Sequence, residues 1–530
     1  MSEAIKYLLE KYIKKIKNRS DLEAVKRLIC KKYQIAALLN ADILKEYRDL
    51  VIKNQIKKNE VLEGILRKRS IRTMSGIAPV AVLTKSYPCP GQCAYCPHEK
   101  DVPVSYLSNE PAVMRAIRCD YDPYIQVAHR LQALVNNGHE PTKIELIVIG
   151  GTWSYLPINY RYWYVLNCFK AANEFSASQT KARKISAKLN YPKNLSLTKL
   201  KALLKLEQAK NEKAKYQVIG LTLETRPDYI TTEELIEMRE LGCTRVEIGV
   251  QAVDDKILAL NKRGHGVAEI AAATQALKQF GFKVTYHLMP ALPGATAKKD
   301  LAMFKQLFND ERFQPDQIKF YPTVVTKGSL LYKWYQAGKY KPYSDKVLQK
   351  LIVDCKALVP TYVRIIRLIR DIPSESIIAG NKITNLRQVM QQQGVKCSCI
   401  RCREAKDKEI KNYQLNILEY PASGGQEYFL SVDSLDGKTL FGFCRLRIDK
   451  NSPVAPALIR ELHVYGELVS RGAQKKVQHS GLGTQMLEAA ERLAKAAELN
   501  KIAVISGVGV RGYYKKQGYK LKNTYLEKKI

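Results

Sequence analysis

The sequence predicts an α/β protein: an open, partial (β/α) barrel, then a smaller α+β domain, with a basic helical segment ahead of both. Short β-rich runs alternate with helical patterns between Ile77 and about Tyr321, which is typical of a parallel sheet. From about Tyr413 the pattern changes to antiparallel strands. We therefore expect four regions: the helical segment at 1–75, the barrel at 76–325, a cysteine-containing connector at 326–410 and the α+β domain at 411–530.

Composition indicates the kind of partner. The 530 residues include 87 Lys and Arg against 51 Asp and Glu, a formal net charge of +36. Solubility needs far less charge, so the excess favours a polyanionic partner, with nucleic acid ahead of an acidic membrane surface. Drift of exposed positions towards lysine is the alternative. The sequence has no apolar run of membrane-spanning length and no signal-peptide core, so we expect a cytoplasmic protein with 12 reduced or metal-bound cysteines.

The first 72 residues are predicted to be helical. Apolar residues recur at spacings of three and four, as in Ile5, Leu8, Tyr12 and Ile16. The segment carries 19 basic and 9 acidic residues. Basic helical faces bind phosphate backbones without reading base sequence. We expect an RNA contact here, with a merely solvated helical face as the alternative.

The barrel region contains six predicted strands: Val80–Leu83, Ile144–Ile149, Val218–Leu223, Arg245–Val250, Val284–Leu288 and Gln317–Phe320. In such barrels the chemistry lies beyond the carboxyl ends of the strands. The strands after the first are followed by glycine or polar residues: Gly150-Gly151-Thr152, Glu224-Thr225-Arg226-Pro227, Gln251, His287 and Tyr321. This predicts a functional site on that rim.

Cys89, Cys93 and Cys96 follow the first predicted strand with the spacing C-x3-C-x2-C. Structural zinc normally has four protein ligands, so three thiolates favour a [4Fe–4S] cluster with one open iron. A zinc site completed by His98 or Cys119 is the alternative. The spacing, with an aromatic residue before the last cysteine, resembles the radical S-adenosylmethionine (SAM) enzymes, in which the open iron binds the methionine moiety.

Three further stretches lie outside these strands. Ser178–Lys215 has 11 basic and two acidic residues, which predicts a loosely docked helical excursion and a second RNA contact as one interpretation. Val363–Arg370 alternates apolar and basic residues, as in a strand with one buried face. Cys397, Cys399 and Cys402 precede the last region, and we favour a structural zinc with an unidentified fourth ligand over a second redox cluster.

The last region contains the sequence Gln478-His-Ser-Gly481-Leu482-Gly483 between a predicted strand, Ile459–Tyr465, and a predicted helix. Glycines let the backbone approach a ligand, and free amides at a helix N-terminus face phosphates. This stretch resembles the pyrophosphate site of the GNAT-type acetyltransferases. That family binds the acyl and pantetheine arm along the preceding strand. The corresponding residues here are Glu461, Leu462 and His463, with Tyr513 and Tyr514 as the paired tyrosines, of which Tyr513 matches the coenzyme-binding one.

The combination resembles the catalytic subunit of Elongator and its free-standing bacterial and archaeal relatives. The matching stretches run nearly end to end, with Ser178–Lys215 matched least. They are Cys89–Pro97, Met114–Arg118, Tyr121–Pro123, Val148–Thr152, Leu223–Tyr229, Arg460–Gly466 and Ile502–Tyr514.

The resemblance implies carboxymethylation of carbon 5 of the wobble uridine, in the anticodon stem-loop of transfer RNA. In that chemistry a SAM-derived radical takes hydrogen from the methyl group of acetyl-coenzyme A, the carbon radical adds to uridine, and the thioester is hydrolysed. The implied cofactors and partners are a [4Fe–4S] cluster, SAM, acetyl-coenzyme A, an electron donor and the RNA, while a homodimer is left open. We expect the acyl donor to face the mouth of the barrel.

The resemblance also assigns roles to residues. The three cysteines of the first motif would hold the cluster, and Gly150, Gly151 and Thr152 would hold the SAM amino group. Lys143 matches a lysine linked to acetyl-coenzyme A, so it and Tyr513 are the expected catalytic residues. A solvated strand-edge charge is the alternative for Lys143.

Two other functions compete with this prediction. One is a protein lysine acetyltransferase whose barrel is only structural, for which a cysteine substitution would leave activity intact. The other is an RNA-binding platform that does not cleave SAM. The complete cysteine motif disfavours both, and the net charge disfavours a basic protein acceptor.

Overall fold

The computed structural model describes residues 1–66, 76–176, 195–383, 385–405, 412–466 and 481–530. The described residues form a helical bundle, a parallel sheet covered by helices, and a mixed sheet. The predicted partial barrel followed by an α+β domain is confirmed. Within these ranges, every helix is too short or too polar to cross a membrane.

The N-terminal bundle has its own apolar core. Its helices within residues 1–66 are α1 (Ser2–Tyr12), α2 (Arg19–Tyr33), α3 (Asn40–Ile52) and α4 (Glu60–Leu66). Leu8, Ile29 and Ile43 are buried between them. Arg48 on α3 donates a hydrogen bond to the carbonyl oxygen of Val135 at 2.6 Å, which attaches the bundle to the barrel.

The barrel is built from parallel strands in sequential order. They are β1 (Ile77–Leu83), β2 (Lys143–Ile149), β3 (Gln217–Thr225), β4 (Arg245–Gln251), β5 (Lys283–Leu288) and β6 (Gln317–Phe320). The helices of this region are α5 (Pro111–Ile117), α6 (Pro123–Asn136), α7 (Ile158–Glu174), α8 (Leu197–Asn211), α9 (Thr232–Glu240), α10 (Asp255–Leu260), α11 (Val267–Gln279), α12 (Ala297–Asn309), α13 (Leu330–Gln336) and α14 (Asp345–Leu358).

The sheet has one strand more than predicted. Strand β8 (Arg364–Arg367) pairs in parallel with β6. Two shorter strands, β7 (Val325–Thr326) and β9 (Ile377–Ala379), pair with each other outside this sheet. The strand predicted in Val363–Arg370 therefore exists, but it belongs to the barrel sheet and not to a separate connector. Alternation of apolar and basic residues predicts a strand and contains no information about which sheet edge it joins.

The basic excursion contains a firmly docked helix. Residues 177–194 lie outside the described ranges, but α8 packs on α7 with Leu200 and Leu204 buried. Asn211 donates a hydrogen bond from Nδ2 to Oδ1 of Asn173 at 2.7 Å. The expectation of loose docking is wrong for this helix, because its apolar stripe is covered by the barrel.

The C-terminal sheet follows two short helices, α15 (Leu386–Gln392) and α16 (Ile400–Arg403). Its elements are β10 (Tyr413–Ala422), β11 (Gly425–Ser434), β12 (Leu440–Ile448), β13 (Ala457–Val464), α17 (Leu482–Ala496), β14 (Lys501–Val504), α18 (Arg511–Lys516), β15 (Lys520–Lys522) and β16 (Tyr525–Lys529). The strand order is β10-β11-β12-β13-β14-β16-β15, and only the β13–β14 pair is parallel. These two strands pair from Ala457 to Ile459 and then separate.

The C-terminal sheet covers the amino ends of the barrel strands. The contact residues precede the strands: Phe282 before β5, Asp316 before β6 and Arg364 at the start of β8. Gly507, after β14, lies against β3, where an added Cβ would come 1.9 Å from the carbonyl oxygen of Ile219. The cysteine rim and the C-terminal sheet are therefore at opposite ends of the barrel.

A buried ionic cluster holds this interface together. The guanidinium of Arg460 on β13 donates to both oxygens of Asp316, at 2.5 and 3.0 Å, and to both oxygens of Glu427, at 2.8 and 2.9 Å. Lys278 on α11 and Arg445 on β12 also lie within 4.0 Å of Asp316. All five side chains are at most 1% exposed. The two guanidiniums and the Lys278 ammonium hold the pKa of Asp316 far below its usual range, although its burial acts in the opposite direction.

Replacing Arg460 by Met should lower the free energy of unfolding by about 3–5 kcal/mol, because Asp316 and Glu427 would keep buried charge without their main partner. Urea unfolding followed by circular dichroism measures this loss. The matched control is Lys438→Met, since Lys438 is 82% exposed beside Asp436, and we expect no measurable change there. Equal unfolding curves for the two variants would contradict the assignment.

Candidate active site

The three cysteines of the first motif lie on the loop after β1. The backbone N–H of Cys96 donates a hydrogen bond to the carbonyl oxygen of Cys93 at 3.1 Å. The sulfur of Cys89 accepts a hydrogen bond from the backbone N–H of Gly91 at 3.4 Å and lies 3.9 Å from Oγ1 of Thr152. The loop after β1 and the turn after β2 therefore meet at this sulfur.

Two buried arginines surround Cys93. Nη1 of Arg263 lies 3.0 Å from the Cys93 sulfur, and Nη1 of Arg226 lies 3.9 Å from it. The hydrogen bond from Cys96 and the charge of the two guanidiniums lower the pKa of Cys93 to about 4, against the effect of burial. The pKa of Cys96 is raised well above its usual value because this thiol donates to Cys93. The site is therefore built for a thiolate.

The residues fit an iron–sulfur cluster better than a single zinc ion. In the described ranges, the sulfurs of Cys89, Cys93 and Cys96 do not all lie within 4.8 Å of one another, and neither does any other set of three His, Cys, Asp or Glu ligand atoms at this loop. A single zinc ion would hold its sulfurs about 3.8 Å apart. Of the two alternative zinc ligands, Cys119 lies between α5 and α6 with its sulfur 3.6 Å from Nδ1 of His129, and His98 belongs to no such set. Three thiols with two cations are suited to a negatively charged cluster that has three protein ligands.

The turn after β2 can only be built with glycine. Gly150 and Gly151 have φ angles of +137° and +100°, which other residues rarely adopt. A Cβ on Gly150 would come 2.1 Å from Oγ1 of Thr84. Thr152 is buried and faces Cys89, as described. The turn therefore exposes backbone groups next to the cysteine loop, where the sequence predicted the SAM amino group.

The concave face of the sheet is polar at its centre. Arg245 on β4 pairs through Nη2 with Oε1 of Glu145 on β2 at 2.6 Å, and donates to Thr222 on β3 and to Gln317 on β6. Closed barrels fill this space with apolar layers. The open barrel instead carries hydrogen-bonding groups across its inner surface.

These groups continue to the carboxyl rim. His287 on β5 lies between two carboxylates, with Nε2 at 2.8 Å from Glu247 and Nδ1 at 3.3 Å from Glu224. Lys319 on β6 also pairs with Glu247. Burial alone would raise the pKa of Glu247, but the charge of Lys319 and the hydrogen bond from His287 hold it well below its usual range. The hydroxyl of Tyr106 donates to Glu224 at 3.2 Å, so the network ends beside the cysteine loop.

The two other rim residues fit this picture. The ring of Tyr321 packs edge-on against His287, with centroids 5.2 Å apart. Gln251, at the end of β4, has a φ angle of +69°. The rim predicted from the strand ends is therefore present, and the charged layer below it was not predicted.

The predicted acyl-binding strand lies at the opposite end. The ring of His463 on β13 stacks on Phe443, with centroids 5.9 Å apart, and lies tilted against Tyr465, with centroids 4.2 Å apart. Burial lowers the pKa of His463 to about 4, and the charges of Lys283 and Lys143 act in the same direction. Lys143, the first residue of β2, is half-buried, and its burial lowers its pKa. β13 lies under the amino ends of the barrel strands, so the strand predicted to bind the acyl arm is at the end of the barrel opposite the cysteine rim.

The other residues of that strand hold it against the barrel. Glu461 accepts a hydrogen bond from Nε of Arg445 at 3.0 Å and lies 3.8 Å from the ammonium of Lys283. Leu462 is half-buried beside it. Beyond Ile459 these residues are no longer paired with β14, so the gap between the two strands opens next to them.

The predicted pyrophosphate turn is described in part. Gln478 lies outside the described residues, while Gly481 has a φ angle of +82° and Leu482 begins α17. A Cβ on Gly483 would come 2.9 Å from the hydroxyl oxygen of Tyr513, so this tyrosine covers the first turn of the helix. Tyr514 is buried behind it. The glycines, the helix start and Tyr513 are brought together as the sequence predicts.

Comparisons with known proteins agree with this architecture. The radical SAM superfamily matches residues 84–307, the radical SAM C-terminal domain matches 315–394, and the acetyltransferase (GNAT) family matches 398–519. A tRNA uridine(34) acetyltransferase of Dehalococcoides mccartyi is 43% identical over 484 residues, covering 87% of this chain and all of that protein. The chain belongs to the family of this acetyltransferase, which combines a radical SAM domain with a GNAT domain.

The family includes proteins from all domains of life. The tRNA uridine(34) acetyltransferase of Methanocaldococcus jannaschii is 39% identical, over 89% of this chain and 88% of that protein. Human Elongator complex protein 3 is 36% identical, over 96% of this chain and 93% of that protein. The solved structure of Elp3 from Methanocaldococcus infernus, with an N-terminal deletion, superposes with a TM-score of 0.71 at 35% identity, covering 86% of this chain and all of that one. As a radical SAM and GNAT protein, this family member has the domains that bind a [4Fe–4S] cluster with SAM and acetyl-coenzyme A.

A second thiol group lies at the junction with the C-terminal sheet. The sulfurs of Cys397, Cys399 and Cys402 lie within 4.8 Å of one another. Hydrogen bonds from the other two thiols lower the pKa of Cys399 to about 2. With metal–sulfur bonds of about 2.3 Å, one tetrahedral ion places its sulfurs about 3.8 Å apart, so the group suits a single ion. Within the described ranges, no fourth His, Cys, Asp or Glu lies close enough to complete this thiol group. Residues 406–411 lie outside those ranges.

Several residues of the site were not singled out from the sequence. Glu247 and Lys319 carried a signal that could have found them, because both are charged residues in the middle of otherwise buried strands. Arg263 and Tyr106 carried no such signal. Arg263 lies in a loop 170 residues from Cys93 along the chain, and Tyr106 lies in a loop 118 residues from Glu224. Folding alone brings them to the rim.

Replacing His463 by Phe should make stability less dependent on pH. The folded pKa of about 4 lies below the value of about 6.5 expected for an unfolded histidine, so acid protonates the unfolded state first and favours unfolding. Between pH 7 and pH 5 the native protein should lose about 2 kcal/mol more than the His463→Phe variant, which keeps the ring stacking. Urea unfolding at both pH values measures the difference, and equal losses in the two proteins would show that folding does not lower the pKa of His463.

Proposed function

We propose that the protein carboxymethylates carbon 5 of the wobble uridine of transfer RNA, using SAM and acetyl-coenzyme A. The observation that carries this proposal is the arrangement of one open barrel, with the cysteine loop at one end and β13, the strand predicted to bind the acyl arm, at the other. Relatives at 39–43% identity carry the name tRNA uridine(34) acetyltransferase. A polar concave face joins the two ends.

The residues of the cysteine loop would hold the cluster through Cys89, Cys93 and Cys96. When bound, the cluster and SAM supply a radical able to take hydrogen from the methyl group of the acetyl donor. The Gly150-Gly151 turn would orient the SAM amino group through its carbonyl oxygens. Buried walls exclude water from such a reactive species.

The acyl donor would enter from the C-terminal sheet. We propose that the free amides of Gly481, Leu482 and Gly483 at the start of α17 bind the pyrophosphate. Gln478 joins this proposal on the sequence motif alone, because it lies outside the described residues. The pantetheine arm would run through the gap between β13 and β14 past Glu461–His463 and under Tyr513. Lys143, at the amino end of β2, would then meet the thioester at the base of the concave face.

The RNA would approach the open side of the sheet. Within the described residues, β1 and β8 are the unpaired edges of the barrel, so the concave face can receive a flipped base from the side. The net charge of +36 and the basic bundle of residues 1–66 suit a phosphate backbone. We retain the four predicted regions as a proposal, with β8 from the connector completing the barrel.

The first test combines two readouts in an oxygen-free assay with reductant, SAM, acetyl-coenzyme A and transfer RNA. Cys93→Ser should reduce both 5′-deoxyadenosine formation and the gain in uridine mass to background, because the cluster loses a ligand. Mass spectrometry of digested nucleosides and chromatography of the adenosine product measure the two. Cys30→Ser, a half-buried cysteine in the helical bundle, is the matched control and should behave like the native protein.

The competing function is a lysine acetyltransferase with a structural barrel. It requires that Cys93→Ser still transfers acetyl groups to lysine peptides and that the native protein leaves uridine mass unchanged. That pair of results would replace the proposed function. Lys143→Ala separates the steps further, since we expect it to lower acetyl-coenzyme A consumption in the presence of the RNA.

We also propose that Cys397, Cys399 and Cys402 hold a structural zinc. The native protein should contain about one equivalent of zinc, and Cys399→Ser should lose it while keeping its iron. Elemental analysis of protein purified without oxygen measures both metals. Loss of iron instead of zinc would assign a second redox cluster to this group.

A further inference from the structure

The three thiols of the cysteine loop have unequal surroundings. Cys93 is contacted by the guanidiniums of Arg263 at 3.0 Å and Arg226 at 3.9 Å. Cys89 has only a hydroxyl and a backbone N–H as described contacts. Among the described contacts, Cys93 is therefore the thiol with two guanidiniums within 4.0 Å of its sulfur.

Both guanidiniums are held in fixed positions. Nη2 of Arg263 donates to the carbonyl oxygen of Gly249 at 2.5 Å, and Nη2 of Arg226 donates to the carbonyl oxygen of Arg263 itself at 2.5 Å. The two side chains are 4% and 7% exposed. Gly91 leaves the space that Arg226 occupies, because a Cβ there would come 2.2 Å from its Nη1. The arrangement is built into the fold and is not a surface contact.

The two arginines differ in how their charge is balanced. Arg226 forms an ion pair with Asp228 at 2.8 Å, and Asp228 also lies 3.2 Å from Nδ1 of His265. Arg263 has no carboxylate within ion-pair distance among the described residues, and its Nη1 is directed to the Cys93 sulfur. Among the described residues, the charge of Arg263 is therefore not balanced by a carboxylate, and the group it contacts most directly is the sulfur of Cys93.

We infer that Arg263, supported by Arg226, sets the reduction potential of the cluster held by the three cysteines. Reduction adds one negative charge to the cluster. A buried cation and hydrogen bonds to a ligating sulfur favour that reduced form and raise the potential. Arg263 is a positioning and tuning residue, since it acts through Cys93 and not on a substrate. The inference rests on the proposed cluster site.

The test is a redox titration of the reconstituted protein followed by electron paramagnetic resonance, without SAM or RNA. At the solution potential that half-reduces the native cluster, Arg263→Gln should lower the ratio of reduced to oxidised cluster at least tenfold, which corresponds to about 59 mV for one electron. Arg226→Gln should lower it less, because Asp228 already offsets that charge. Arg263→Lys keeps the charge and should lie between Arg263→Gln and the native protein.

Iron content separates the ways in which this could fail. The control Arg312→Gln removes a surface guanidinium paired with Asp310 and should leave the midpoint unchanged. If Arg263→Gln keeps its iron and the native midpoint, the inference is overturned. If Arg263→Gln loses its iron, native midpoints in both Arg263→Lys and Arg226→Gln would overturn it. A native protein that binds no iron would overturn the cluster site itself.

Discussion

The position of the C-terminal sheet depends on the salt bridges between Arg460, Asp316 and Glu427. Desolvating these charges is costly, and their attraction compensates only when the geometry is close and each oxygen has a donor. Here both oxygens of both carboxylates are hydrogen-bonded to a single guanidinium. Such a set tolerates little displacement, so it fixes where β13 lies beneath the barrel. The relation between the two halves of the proposed active site follows from that position.

The inner surface of the barrel connects the two halves of the proposed active site. Arg245 links three strands near the amino ends, and Glu247, His287 and Lys319 continue the polar contacts to the rim. In a closed barrel the same space would be apolar and filled. The described sheet stops at seven strands with β1 and β8 at its edges, and these groups lie buried on its inner face. The open architecture and the polar lining are therefore parts of one design.

Local patterns in the sequence were sufficient to predict much of the barrel and of its cysteine rim. The cysteine spacing, the Gly150-Gly151 turn and six of the strands are short-range features, and each was predicted from neighbours in the chain. Contacts between residues far apart along the chain could not be predicted from these local patterns. Nothing in the pattern around Arg263 indicates Cys93, which lies 170 residues away. Lys278 was not singled out from the sequence, because a basic residue on a helix is normally exposed.

The depth of the barrel also has a consequence for timing. Strand β3 has nine residues, so its eight steps of about 3.3 Å make it about 26 Å long. In the proposed reaction, a thioester bound on β13 and an adenosyl group bound at the rim would be separated by about this length. Such a separation would keep the two reactive groups apart after binding, and the reaction would then require one of them to move inward along the barrel.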